Sequence, residues 1–268
     1  MEPNQARALA PAPPAAAAEA APGDADISQV GALLADPARC RVLMALNDGR
    51  ALPAGVLAEE AGVSRSTASG HLARLTEAGL LAVKAQGRHR YYRLSGPEVG
   101  ELLERISRLA PARPVRSLRD GNRAARLRSA RTCYDHLAGR LGVELMAALI
   151  RDGHLTGGDG LHHLDEAGAD RLSGRGREVD YALGPAAADF LTGLGVPLGE
   201  AAGRRRPLVR YCVDWSEQRH HLAGGLGRAL LDRFLDAEWI VRPERGRAVR
   251  VTDTGRDVLR SRFGIDWE

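Results

Sequence analysis

Cysteine is scarce in this chain: only Cys40, Cys133 and Cys212 occur in 268 residues. Three widely spaced cysteines cannot build a disulfide scaffold, and their small number fits a reducing compartment. Aromatic residues make up 4% of the chain, so its cores must rest on Leu, Ala and Val, a composition that favours helices. No stretch of about 18 uninterrupted apolar residues occurs, which argues against a membrane-spanning helix. No phosphate-binding glycine loop, nucleophile elbow or zincin helix appears either, so an enzyme is not expected. Neither sign of charge dominates, with 38 Lys and Arg against 34 Asp and Glu. That balance permits binding to a polyanion without requiring it, and the placement of the charges must decide.

The length suits two compact domains with tails. Residues 1–25, MEPNQARALAPAPPAAAAEAAPGDA, read as a disordered Ala/Pro-rich tail rather than a signal peptide, and a cytoplasmic location is expected. From residue 26 the pattern turns helical. Ile27, Val30, Leu33 and Leu34 recur at helical spacing, and Asp36-Pro37 then places a capping side chain before a first-turn proline. Pro37–Leu46 and Pro53–Ala61 read as short helices. Gly62-Val63-Ser64 follows with a glycine free to take positive φ, an apolar plug and a serine N-cap, the tight connection of a helix-turn-helix. In Ser64–Ala78, Ala68, Leu72 and Leu75 share one face, and small polar groups occupy the other. Leu80–Gln86 and His89–Leu94 make a basic hairpin with Gly87-Arg88 at its turn. Ser95-Gly96-Pro97-Glu98 has the spacing of a capping box opening the helix Pro97–Leu109.

This order is the winged-helix plan. DPARCRVLMAL, LAEEAGVSRSTASGHLARLTEAGLL and GRHRYYRL together resemble the ArsR/SmtB family of bacterial repressors, across nearly all of residues 26–110. The resemblance implies a homodimer, paired through its first and last helices, that binds double-stranded operator DNA and releases it on sensing an effector. It also assigns the groove-facing positions to Arg65, Ser66, Thr67, Ser69 and Gly70. The helix N-terminus enters deepest, so Arg65 and Ser66 are the candidates for base edges. His71 and Arg74 are better placed for phosphates, and Arg88, His89 and Arg90 could reach the neighbouring backbone or minor groove. A different class of reading makes the winged helix a protein-contact scaffold within a metal- or ligand-binding interaction protein.

Residues 111–131 form an arginine-rich linker and helix, read as solvated. Beyond it, HLAGRLG at 136–142 recurs as HLAGGLG at 221–227. Residues 132–268 therefore read as a duplicated sensing and dimerisation module, with units 132–197 and 208–266, each a helix, a strand or hairpin, and a helix. The fold class is mainly α with small β-hairpins (α+β): a winged helix-turn-helix followed by a tandem winged-helix-like module.

The repeats set Cys133 and His136 beside Cys212 and His221. If they pack with pseudo-two-fold symmetry, two thiolates and two imidazoles converge on one zinc-like ion, with Cys133 and His136 sharing a helical face. Core packing explains the same residues, and so does a redox pair of Cys133 and Cys212. Trp215 and Tyr134 could line an effector pocket. Cys-x-Cys is missing from 52–62, and Pro97–Leu109 lacks the His or Asp of the family's interchain site, so the familiar metal sites are absent. Cys40 reads as a core residue. His162-His163 with Asp165 and Glu166 is a second, weaker metal candidate.

Overall fold

The computed structural model describes residues 26–86, 89–111, 114, 117–162, 179–196, 198–201, 207–243 and 246–268. Two apolar cores organise them. The first belongs to the winged domain: α1 (Ile27–Leu34), α2 (Pro37–Leu46), β1 (Leu52–Pro53), α3 (Ala54–Ala61), α4 (Arg65–Glu77), β2 (Leu81–Gln86), β3 (His89–Leu94) and α5 (Pro97–Leu109). Asp36 caps α2 by accepting from the Ala38 and Arg39 amides, and Pro37 follows at the first helical position. Gly62 takes the left-handed conformation, φ +66°, and ends α3. Two residues later the Ser64 hydroxyl caps α4 by accepting from the Thr67 amide at 3.2 Å. The turn bends because glycine tolerates that φ and serine can satisfy an orphan helix donor. Val42, Leu43, Leu46, Leu57, Leu72, Leu75 and Leu94 fill the space between the helices and the β1-β3-β2 sheet. In the wing, Leu81 pairs with Leu94 and Gln86 with His89.

The anticipated capping box on Ser95 does not form. Gly96 is the N-cap of α5, in extended backbone and without a side-chain cap, because Pro97 sets the first helical turn one residue later than the box requires.

The second core lies among α6 (Leu118–Ser129), β4 (Arg131–Cys133), β5 (His136–Ala138), α7 (Gly139–Arg151), β6 (Leu155–Thr156), β7 (Ala182–Leu183), α8 (Ala187–Gly193), α9 (Leu198–Ala201), β8 (Arg210–Val213), β9 (His220–Ala223), α10 (Gly224–Asp236), β10 (Ile240–Val241), β11 (Arg250–Val251) and α11 (Asp253–Phe263). The duplication appears as hairpin, 13-residue helix, short antiparallel pair and helix, in both halves. The helices α7 and α10 open on Gly139 and Gly224, at φ +73° and +79°. A Cβ at Gly139 would lie 2.6 Å from the Arg128 carbonyl, and one at Gly224 2.8 Å from that of Leu208. Only glycine turns the strand into the helix at these points. The halves exchange partners: α7 packs on β9 and α10 on β5.

Two expectations change here. Cys133 and His136 do not share a helical face; they oppose each other across the β4–β5 hairpin. Tyr134 takes φ +56° at its turn, which stops a helix from starting before Gly139. Arg131, assigned to a solvated basic segment, is completely buried in β4, while α6 ends at Ser129.

The two cores are joined by polar contacts. The Tyr134 amide donates to the Asn47 carbonyl at 3.0 Å, and Arg50 donates to the carbonyls of Pro243 and Gly246 at 3.0 and 2.7 Å. The carboxylate of Glu104, buried on α5, accepts from Asn47 at 2.9 Å and from Arg247.

Candidate nucleic-acid interface and cysteine–histidine cluster

The helix α4 is two-sided. Ala68, Leu72 and Leu75 are fully buried, whereas Arg65, Ser66, Thr67, Ser69, Gly70, Ala73 and Arg74 face outward. A Cβ added at Gly70 would meet nothing within 4 Å, so that stretch of helix is bare. No acidic residue lies on α4 before Glu77. The face thus combines small size, hydroxyl donors and positive charge, the combination that suits a helix entering a groove between phosphates. His71 is set apart. It is half-buried and 4.0 Å from Asp36, leaning on the cap of α2. His89 and Arg90 are exposed on the wing; Arg88 lies outside the described residues.

The second constellation lies where the repeats meet. Cys133 pairs with His136 across β4–β5, and Cys212 with His221 across β8–β9. One donor atom from each of these four residues lies within 4.8 Å of the other three. The Nε2 atoms of His136 and His221 are 3.2 Å apart. Each imidazole turns its other nitrogen to a carboxylate: His136 Nδ1 to Asp135 at 3.2 Å, and His221 Nδ1 to Asp214 at 3.3 Å. Cross-strand pairing brings each Cys to its His, and the glycines bring the hairpins together. A Cβ at Gly142 would sit 3.4 Å from the His221 Cβ, and one at Gly227 3.2 Å from the His136 Cβ.

The electrostatics are tightly linked. The neighbouring Cys133 thiol lowers the Cys212 pKa well below the usual thiol value; burial opposes this, and the two imidazoles reinforce it. Burial disfavours charge on His136, but the Cys212 sulfur and Asp135 outweigh it and push the pKa up to about 9. For Asp214, burial raises the pKa, but His221 and the Arg131 guanidinium hold it well below the carboxylate range.

Asp214 also links the cluster to the winged domain. It accepts from Arg131 Nη2 at 2.9 Å and from the Gly139 amide at 2.7 Å. Arg131 in turn lies 3.8 Å from Glu104 of α5. Sequence reasoning did not single out Arg131 or Glu104 as functional; one lay in an arginine run and the other on an ordinary amphipathic helix. Cys40 donates its thiol to the Leu34 carbonyl at 2.9 Å and stands away from the cluster. His162 approaches Arg108 at 2.6 Å; its proposed co-ligands His163, Asp165 and Glu166 lie outside the described residues. Trp215 stacks under the Arg131 guanidinium at 4.6 Å, and Tyr134 packs against the winged core.

A glycine-turned pair of short helices, the second bare and basic, with a three-stranded wing beside it, defines a winged helix-turn-helix DNA-binding protein. The helix-turn-helix domain model matches residues 34–84. Over 240 residues the chain is 39% identical to the uncharacterized HTH-type transcriptional regulator YdfF of Bacillus subtilis, covering 90% of this chain and 98% of the relative. It is 40% identical over 77 residues to the HTH-type transcriptional regulator CmtR of Mycobacterium tuberculosis, covering 29% of this chain and 64% of that one. Among solved structures, reduced HlyU from Vibrio cholerae aligns at 29% identity and a TM-score of 0.29, covering 32% of this chain and 88% of HlyU. The chain belongs to the HTH-type transcriptional regulators. Among the described residues, no helix is long and apolar enough to cross a membrane.

Proposed function

We propose that the chain is an effector-responsive repressor that binds a palindromic operator as a homodimer in the cytoplasm. The observation that carries this reading is the bare outer face of α4, with Arg65 and Ser66 at its leading end and Arg74 one side of its trailing half. Arg65, Ser66, Thr67, Ser69 and Gly70 enter the major groove; Arg74, His71 and the wing residues Arg88, His89 and Arg90 serve the phosphates and the adjoining minor groove.

Dimerisation is supported by apolar surface left without a partner. No residue of α1 is buried, and Ile27, Ile106 and Leu109 are 82%, 39% and 87% exposed on α1 and α5. A second copy of the chain covers such patches by two-fold pairing, which also sets two recognition helices against successive half-sites. Residues 132–268 serve as the sensing module, and the Cys/His cluster is the seat of a zinc-like ion.

Mapping of bound sites across the source genome, followed by titration of the recovered duplex at several salt concentrations, tests the reading. Saturable binding to a two-fold site, falling steeply as salt rises, is expected. Absence of duplex binding at low salt, with a protein partner recovered on the winged domain instead, would favour the interaction-scaffold reading.

A further inference from the structure

A cluster of two thiols and two imidazoles, all buried except the partly exposed Cys212, is costly unless something gathers their lone pairs. His136 is 3% exposed, and Cys133 and His221 still less. Around a tetrahedral ion with metal–nitrogen bonds of about 2.0–2.1 Å, two imidazole nitrogens stand about 3.3 Å apart. The 3.2 Å between the His136 and His221 Nε2 atoms matches that edge. A single shared proton would give a similar nitrogen–nitrogen distance. It would not require two sulfurs to close on the same point. Asp135 and Asp214 stand on the Nδ1 sides of the two rings. A carboxylate behind the imidazole is the usual support of a metal-bound histidine, fixing its tautomer and aim.

We propose that Cys133, His136, Cys212 and His221 bind one zinc-class divalent ion tetrahedrally, through two thiolates and two Nε2 atoms, as a closed clasp between the two repeats. This deepens the zinc-like part of the reading above and stands whether or not the winged domain binds DNA. Both cysteines coordinate as thiolates, and their protons pass to solvent. Two thiolates neutralise the ion, so the buried centre carries no net charge of its own. Soft sulfur donors select zinc-class ions over magnesium or calcium, which require oxygen ligands. Four protein ligands leave no open position, which makes the site structural in kind rather than hydrolytic.

The clasp spans chain positions far apart. Each hairpin contributes one sulfur and one nitrogen, so neither repeat can complete the site alone. Gly142 and Gly227, each packed against the other repeat's histidine, set the closeness the tetrahedron needs. Asp135 and Asp214 are positioning residues; they touch the ligands and not the ion. The tip of the β4–β5 hairpin is Tyr134, held against Asn47 of the winged domain, so the clasp also fixes the piece of the second module that docks on the first.

The test uses the untagged full-length chain, purified under reducing conditions from zinc-replete cells. Elemental analysis is expected to find one zinc per chain. After exchange into cobalt(II), strong visible d–d bands of tetrahedral cobalt and a near-ultraviolet thiolate-to-cobalt band are expected. Cys133→Ser and Cys212→Ser should each lose or weaken the thiolate band, while Cys40→Ser keeps it. Asp135→Asn retains all four ligands and the fold by circular dichroism. Its zinc affinity, read by chelator competition, should fall about 10- to 100-fold. Folded, reduced wild-type protein that carries no zinc and shows no thiolate–cobalt band overturns the proposal without reference to any variant. So does a thiolate band that keeps its full wild-type intensity in both cysteine variants, or a Cys133–Cys212 disulfide in place of the ion. Operator binding, measured separately on the same preparations, reports only on the DNA reading.

Discussion

Replacing Asp214 with Asn should destabilise the second core by about 3 kcal/mol, near the lower end of the about 3–5 kcal/mol lost when one partner of a buried ion pair is removed. Asp214 and Arg131 are both fully buried. One carboxylate oxygen accepts from Arg131 and Gly139 at 2.9 and 2.7 Å. The other accepts from the Ser216 amide and hydroxyl at 2.9 and 2.7 Å. Asparagine can keep one oxygen toward Ser216, but its amide then meets two donors where the carboxylate accepted from both. Arg131 would keep the Leu127 carbonyl at 3.1 Å, the Trp215 ring, and Glu104 at 3.8 Å, which is already engaged by Arg247. Those residual partners place the loss at the lower end. Urea unfolding read by tryptophan fluorescence is the assay, since Trp215 lies directly under the guanidinium. Arg131→Met removes the other member of the pair. The double variant should be more stable than the sum of the single losses implies, by a coupling of up to about 3 kcal/mol. A loss below about 1 kcal/mol for Asp214→Asn, or strictly additive variants, would refute the claim that this pair is an interdependent buried unit.

Arg65→Ala should cost about 1–3 kcal/mol in operator affinity and relax base preference, whereas Arg74→Ala should weaken all sequences alike and reduce the salt slope by about one; competition binding against mutated operators separates the two. Gly70→Ala should raise the stability of the free protein by about 0.5–1 kcal/mol, since the added methyl meets nothing and glycine is a poor mid-helix residue. Gly70→Glu should abolish operator binding while the protein stays folded, and retained affinity would remove the close-approach argument. Leu109→Glu, on the exposed end of α5, should give a monomer by light scattering; an unchanged dimer would place the interface elsewhere. The Arg39 and Ala38 amides hold the Asp36 carboxyl below its ordinary pKa despite some burial, so its charged cap stabilises the fold above pH about 4 and is lost as pH falls through the depressed value. The melting difference between wild type and Asp36→Asn should therefore shrink on acidification, and a constant gap from neutral pH to below 4 would contradict it.

Much of the winged domain could be read from the chain because its signals are local. A left-handed glycine, a serine cap three residues before the amide it serves, and leucines at helical spacing all act within one turn of helix. Ala68, Leu72 and Leu75 share one face by their spacing, and that face is buried. The second module was harder because its decisive features are long-range. The repeat of HLAG with a shared glycine spacing was visible, and it brought the four cysteine and histidine residues into one hypothesis. Their secondary structure is not legible locally, because the helix-like sequence HLAGRLG begins as a strand. Gly139 adopts a conformation that an isolated pattern does not reveal, and Tyr134 enters a left-handed turn despite its side chain.

Arg131 shows the same limit in electrostatic form. In sequence it ends a run of arginines that favours water; in the fold it is drawn into β4, because Asp214, from a hairpin 83 residues away, supplies its counter-charge. A charge pattern along the chain reports on solvation only until a distant carboxylate arrives, and its arrival depends on the pseudo-two-fold pairing of the repeats. The duplication thus carries two consequences at once. It sets one cysteine and one histidine from each unit around a common point, and it buries the carboxylate that both orients His221 and holds Arg131 beside α5. The interior of the second module and the last helix of the winged domain therefore share a single polar chain, His221–Asp214–Arg131–Glu104, with no solvent-exposed link between them.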